Sequence, residues 1–169
     1  MSDPTVLILM GSDSDVSTME ETAKILDHFG VPFEMHVSSA HRSPAKTAKL
    51  AGEAAGRGVQ IIIAAAGVAA HLAGVVAAET LLPVIGVPMA GGALNGVDAL
   101  YSMVQMPGGI PVGTMAIGKA GAKNAGLFAV QILALADPEL RGRFAEHRAQ
   151  MALEVEQKDA ALQEARRSR

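Results

Sequence analysis

Thr5-Val6-Leu7-Ile8-Leu9-Met10-Gly11-Ser12-Asp13-Ser14-Asp15 is the stretch whose reading decides the fold. Residues 5–10 form a short, unbroken apolar run without the alternation of a strand that has one wet face. They therefore read as a strand buried on both sides. The polar residues 11–15 end that run, and Val16, Met19, Ala23, Ile25 and Leu26 then recur at helical spacing. Strand, polar loop and helix in this order open a parallel α/β unit.

The same rhythm repeats downstream. Gly30 closes the first helix, residues 31–37 read as a second strand, and Ser38-Ser39-Ala40-His41-Arg42 is a loop. Ser43 is placed to cap the next helix, with Pro44 in its first turn. Gly58 precedes a third apolar run at 59–66, and the small-residue segment 67–80 carries His71 inside a helix or at its entry. Residues 83–87 give a fourth strand, 89–96 a Gly-rich loop and 97–106 a helix. Pro107-Gly108-Gly109 turns the chain into a fifth strand around 112–117. A helical pattern resumes over 120–136, and Asp137-Pro138 starts a charged, amphipathic tail over 139–166. We expect a three-layer α/β/α parallel sheet over residues 1–136 with a C-terminal helical extension over 137–169. Ligands of such sheets sit at the carboxyl ends of the strands.

Composition narrows the function classes. Half of the 169 residues are apolar and 18% are charged, the balance of one globular domain. The net charge is −3, with four Phe, one Tyr and no Trp. No basic stripe or base-stacking set is available for nucleic acid. The lack of cysteine removes disulfides, thiolate metal sites and cysteine nucleophiles, and is compatible with a reducing cytosol. Residues 1–4 lack the features of a signal peptide, so the expected location is cytoplasmic. Residues 59–78 are apolar enough to suggest a membrane span, but Gly67, His71 and Gly74 interrupt them. A buried strand followed by a buried helix fits better, and no membrane partner is expected. Abundant Ala and Gly imply a core of small side chains and close backbone approach, suited to helices that bury against neighbouring subunits.

Three loops carry candidate chemistry. Gly11-Ser12-Asp13-Ser14-Asp15 joins a strand end to a helix start, where free N–H groups favour an anion and the serine hydroxyls can add donors. A plain helix cap explains the same residues. Two aspartates repel a phosphate unless one turns away, so Asp15 suits ribose hydroxyls better. In Ser39-Ala40-His41-Arg42 an imidazole able to act as general acid and base stands beside a guanidinium able to grip phosphate bidentately. A solvated surface pair is the alternative. His71 is the one polar side chain in Ala64-Ala65-Ala66-Gly67-Val68-Ala69-Ala70-His71-Leu72, so it is either a hydrogen-bonded core histidine or a residue that holds a flat ring against small neighbours. His28, His36 and His147 have no such company. No paired ligand spacing for a metal appears, nor a dinucleotide fingerprint or Walker loop, and the methionines near Met103 and Met106 suit packing.

Together these loops resemble the PurE family, over residues 6–135. The resemblance rests on Gly-Ser-Asp-Ser-Asp (11–15), Ser-Ala-His-Arg (39–42), Ala-Ala-His-Leu (69–72), Gly-Val-Pro (86–88), and the run from Gly96 through Gln105-Met106-Pro107-Gly108-Gly109-Ile110-Pro111-Val112-Gly113-Thr114 to Ala-Ile-Gly-Lys-Ala-Gly (116–121). It implies a flavodoxin-like subunit assembled into an octamer whose sites are lined by neighbouring subunits. It also implies that Ser12, Asp15 and Arg42 bind a ribonucleotide, that Gly11, Ser39, Ala40, Gly67, Ala70, His71 and Leu72 surround it, and that His41 is catalytic. The implied class I reaction turns N5-carboxyaminoimidazole ribonucleotide into its carbon-4 carboxylate isomer, within purine biosynthesis and without metal, cofactor or covalent nucleophile.

The sequence departs from the family pattern at Ala65 and Val68, commonly glycine, and at Ala73, commonly proline; their added methyl groups are expected to narrow the ring pocket. Two other readings remain at this stage. One is a class II carboxylase that uses free carbon dioxide, although Ala-Ala-His-Leu points to class I. The other is a non-catalytic flavodoxin-like module. A receiver domain lacks its aspartate here, because the third strand ends in Ala64-Ala65-Ala66-Gly67, and a flavin site lacks its stacking aromatics.

Overall fold

The computed structural model describes Asp3 to Ser168, and its contacts divide the chain into a unit ending at Val130 and a second beginning at Gln131. The first is built on a parallel sheet of β1 (Val6–Met10), β2 (Phe33–Val37), β3 (Ile61–Ala66), β4 (Val84–Pro88) and β5 (Gly113–Thr114), in the order β2-β1-β3-β4-β5. This is the flavodoxin-like order, and it reverses direction between β1 and β3, where ligand crevices form. Every residue of β1, β3 and β4 is buried, as their unbroken apolar runs require of strands covered on both faces.

The helices of this unit are α1 (Val16–His28), α2 (Pro44–Ala54), α3 (Leu72–Glu79), α4 (Val97–Val104) and all but the last three residues of α5 (Lys119–Leu133). Alternation along the strands sorts the core. Leu7, Leu9, Ile62, Ala64 and Val84 meet Ala51 and Ala54 of α2, Leu72, Ala73 and Val76 of α3, and Ala99 and Met103 of α4. Ile8, Ile61 and Ile63, equally buried, point to the opposite face. α1 and α5 run close together: Thr22 Oγ1 donates to the Ala122 carbonyl at 2.7 Å, and a Cβ at Gly126 would lie 2.9 Å from Cβ of Ile25. The small residues of α5 are what permit this approach.

Most boundaries fall within a few residues of the sequence reading, and the fifth strand departs from it most. β5 is limited to Gly113–Thr114. Pro111 has no N–H to donate, and beyond Thr114 the chain keeps only separate bonds, from Met115 N to Gly86 O at 2.8 Å and from Gly118 N to Pro88 O at 2.8 Å. The helix within 67–80 starts at Leu72, so of the two places the sequence allows for His71 the structure has the entry: it is the N-cap residue of α3. In the second unit, Asp137 caps α6 (Pro138–Arg167) by accepting from Leu140 N at 3.0 Å. No helix among the described residues is long and apolar enough to cross a membrane.

Candidate functional site

The parallel ladder carries past the strand ends and fixes where each loop begins. Gly11 N bonds to Ala65 O at 2.9 Å, Ser38 N to Met10 O at 2.7 Å, and Met89 N to Ala66 O at 2.9 Å. The loops after β1, β2, β3 and β4 are therefore held side by side at the carboxyl edge of the sheet. They enclose a cavity of about 430 Å³ lined from all four, a volume in the range of small-molecule sites.

In the first loop Ser12 caps a single 3-10 turn, Asp13–Asp15. Its hydroxyl accepts from Ser14 N at 3.3 Å and from Ser14 Oγ at 2.9 Å, and donates to Asp13 at 3.1 Å. Ser12 thus caps the short turn and not α1, whose N-cap residue Asp15 makes no side-chain cap bond, and the turn leaves Asp13 exposed and Asp15 buried. Asp15 is only 9% exposed. Its carboxyl is raised above the ordinary value, chiefly because burial strips its water and secondarily because of the Asp13 charge, against hydrogen bonds from Ser14 and Ser12 that favour the anion.

The second loop is knitted internally. Ser43, expected as a helix cap, makes no side-chain cap bond. Its hydroxyl turns back, accepting from Ser39 N at 3.0 Å and donating to Ser39 O at 3.1 Å, while Ser38 and Thr47 share a buried hydroxyl contact of 2.8 Å. On this base Arg42 reaches across to the first loop, where Nη2 donates to Gly11 O at 3.0 Å and Nε approaches Ser39 Oγ at 3.4 Å. The guanidinium is pinned at the cavity edge with further N–H donors for an anion.

His41 points from this loop toward the third. Its Nε2 lies 2.8 Å from Nδ1 of His71. His71 is exposed at the cavity and is not a core histidine, and its partner there is a second imidazole.

Gly11, Ser12, Asp15, Ser39, Ala40, His41, Arg42, Gly67, His71 and Leu72, all singled out by sequence, line the cavity. Ala70 does not: its side chain is fully buried in the core beneath the loop. The expectation that all three departures crowd the pocket is corrected as well. Ala65 and Ala73 are fully buried away from the cavity, and only Val68 lines it. Val68 has φ 56°, a left-handed conformation costing roughly 1–2 kcal/mol in an L-residue.

The fourth loop was read as Gly-rich without a role. Met89, Ala90, Gly91 and Gly92 nevertheless form one wall. A Cβ on Gly96 would fall 2.7 Å from Met89 O, so only glycine closes this loop so tightly. Its place after the fourth strand was the available signal. His28, His36 and His147 are not part of the cavity lining; His36 instead lies 3.5 Å from Glu34. No group of three His, Asp or Glu side chains among the described residues is arranged to hold a metal ion.

A family model described as AIR carboxylase matches residues 5–154. The N5-carboxyaminoimidazole ribonucleotide mutase of Escherichia coli K12 is 55% identical over 150 residues, covering 89% of this chain and 89% of that protein. The mutase of the same name from Pyrococcus horikoshii is 50% identical over 161 residues, covering 95% of this chain and 90% of that protein. Among solved structures, a crystal structure of Treponema denticola PurE superposes with a TM-score of 0.85 at 29% identity, over 94% of this chain and 98% of that one.

Proposed function

The chain belongs to the AIR carboxylase family, and on that premise we propose that it is an isomerase of purine biosynthesis that converts N5-carboxyaminoimidazole ribonucleotide into the carbon-4 carboxylate isomer. The observation that carries this reading from the site itself is one cavity bringing together a pinned guanidinium, a buried carboxylate and a hydrogen-bonded imidazole pair. Arg42 takes the phosphate in charge-assisted bonds. Asp15, a buried acceptor, takes the ribose hydroxyls, with Ser12 and Gly11 beside them. Ser39, Ala40, Gly67, His71 and Leu72 bound the rest of the ligand.

In this reading the bond from the exocyclic nitrogen to the carboxylate carbon breaks, releasing carbon dioxide, and the nitrogen takes up a proton. Carbon 4 of the ring then forms a bond to the same carbon dioxide. His41 gives the nitrogen its proton and takes back the one that carbon 4 must lose, so atoms and charge balance without an added reactant. The protein's share of the work is to hold two small partners together and keep water away, which the Ala, Val and Leu side chains of the wall do without competing hydrogen bonds.

We place the chemistry in residues 1–136 and treat the extension over 137–169 as a packing element. We also read the protein as a cytoplasmic homo-octamer. Exposed apolar side chains at Leu94, Val97, Tyr101 and Val104 support self-association, and a native mass measurement tests its order.

The deciding assay supplies N5-carboxyaminoimidazole ribonucleotide without ATP, metal or bicarbonate and follows the carbon-4 isomer. Conversion above the enzyme-free rate is expected. Reaction only with aminoimidazole ribonucleotide plus bicarbonate would replace the mutase with a carboxylase, and no reaction in either assay would overturn the enzyme reading.

A further inference from the structure

Val68 combines two unfavourable features. A β-branched residue stands in the left-handed region at φ 56°, which such side chains rarely adopt, and its apolar side chain is 58% exposed. Glycine would relieve both, so neither backbone preference nor core burial accounts for valine here. Its surroundings do. Val68 is on the cavity wall with His41 and His71, on the lip formed by the loop after β3. The facing lip is Ala90-Gly91-Gly92, which offers no side chain larger than a methyl group. A Cβ built on Gly92 would lie 3.4 Å from Val68 Cγ2, so the isopropyl group occupies the space above the Gly92 backbone. Cover at this edge has to come from position 68.

We propose that Val68 is a retention residue, whose isopropyl group closes the gap between the loops after β3 and β4 and so determines how often released carbon dioxide escapes before carbon 4 captures it. This rests on the mutase reading above. Carbon dioxide is small and uncharged, so no ionic contact holds it, and apolar cover is the means by which this wall can keep it beside the ring and keep water out. An escape event leaves aminoimidazole ribonucleotide, with the freed nitrogen protonated and the carbon–carbon bond unformed. The site can then take up a different carbon dioxide molecule from solution.

The test follows carbon exchange. Purified protein converts unlabelled N5-carboxyaminoimidazole ribonucleotide in the presence of 13C-bicarbonate and carbonic anhydrase, and the 13C content of the carbon-4 carboxylate is measured by mass spectrometry, with the enzyme-free background subtracted. Val68→Gly is expected to raise labelling on the order of 3- to 10-fold, the response of a rate to a barrier change of about a single tenfold step. Its melting temperature and native mass should match or exceed those of the parent, because backbone strain is removed. Val68→Ala, which keeps the strain but shortens the side chain, should give an intermediate rise and serves if the glycine variant folds poorly. Parental turnover with equal labelling in all three proteins overturns the retention role alone. Equal labelling with a changed native mass overturns it too, and makes Val68 a subunit contact. Absence of turnover in the parent overturns the mutase reading and this inference together.

Discussion

His41 Nε2 and His71 Nδ1 stand 2.8 Å apart, with the two rings nearly perpendicular at 83° and their centroids 4.9 Å apart. A contact that short needs an N–H on one ring and a lone pair on the other, so each imidazole sets the tautomer of its partner. We expect His71→Leu, which fills the space but offers no hydrogen bond, to lower kcat roughly 10- to 100-fold, about 1.4 kcal/mol of barrier per tenfold. KM should change by less than kcat. His71→Asn places an amide where Nδ1 was and should recover part of the loss. Equal kcat for the Leu and Asn variants would show that His71 acts by volume and not by orienting His41.

His41 itself is expected to be needed for proton transfer and not for binding. It lies on a loop held by Ser43 and Arg42 contacts that do not pass through the imidazole. His41→Asn should therefore keep the parental melting temperature and bind aminoimidazole ribonucleotide within a few-fold of the parent. Turnover should fall by about 10²–10⁴, the usual contribution of a positioned acid–base group. Near-parental kcat would remove His41 from the chemistry.

Arg42 is expected to show the opposite division. Its Nη2 bond to Gly11 O ties the second loop to the first at the anion end of the cavity. Arg42→Ala loses both that tie and a charge-assisted grip of roughly 1.5–3 kcal/mol. We expect ribonucleotide affinity to drop about 10- to 100-fold by calorimetric titration, and more steeply for the nucleotide than for the dephosphorylated nucleoside. Equal losses for the two ligands would place the phosphate elsewhere.

The sheet was legible because buried parallel strands write themselves as unbroken apolar runs, and β1, β3 and β4 do so from Val6, Ile61 and Val84 onward. β5 was not, since two ladder residues flanked by proline and glycine leave almost no periodic signal. At the site, polar residues at strand ends were found because polarity there needs a reason. The wall from Met89 to Gly92 was missed because it contributes backbone and methyl groups, whose role comes from position and not from residue type. Ser43 was legible as the N-cap residue of α2, with Pro44 in the first turn, but not in what its hydroxyl bonds. Sequence placed the serine at the helix start, but its hydroxyl had a closer partner in the Ser39 backbone than in the helix. The direction of the Ala70 side chain, which is buried in the core, was not legible either, since loop conformation decides which way an alanine points.

Asp15 links site and stability through its carboxyl, which burial holds above the ordinary value of 3.8. A folded-state value raised in this way gives stability that is fully present below the unfolded value and lost as pH rises through the folded one. At pH 7 the ligand-free protein therefore carries a desolvated anion whose hydrogen bonds do not fully compensate it. Asp15→Asn should raise the melting temperature of the ligand-free protein at pH 7. The gain should shrink as pH falls through the raised carboxyl value, where the parent is neutral too. The same variant should bind ribonucleotide roughly 10- to 100-fold more weakly, because hydrogen bonds to a charged acceptor are worth about 1.5–3 kcal/mol and an amide makes weaker ones. Paired melts across pH, with and without aminoimidazole ribonucleotide, measure both effects. A thermal gain independent of pH would mean that the buried charge is not its source, and unchanged affinity would take the ribose contact away from Asp15.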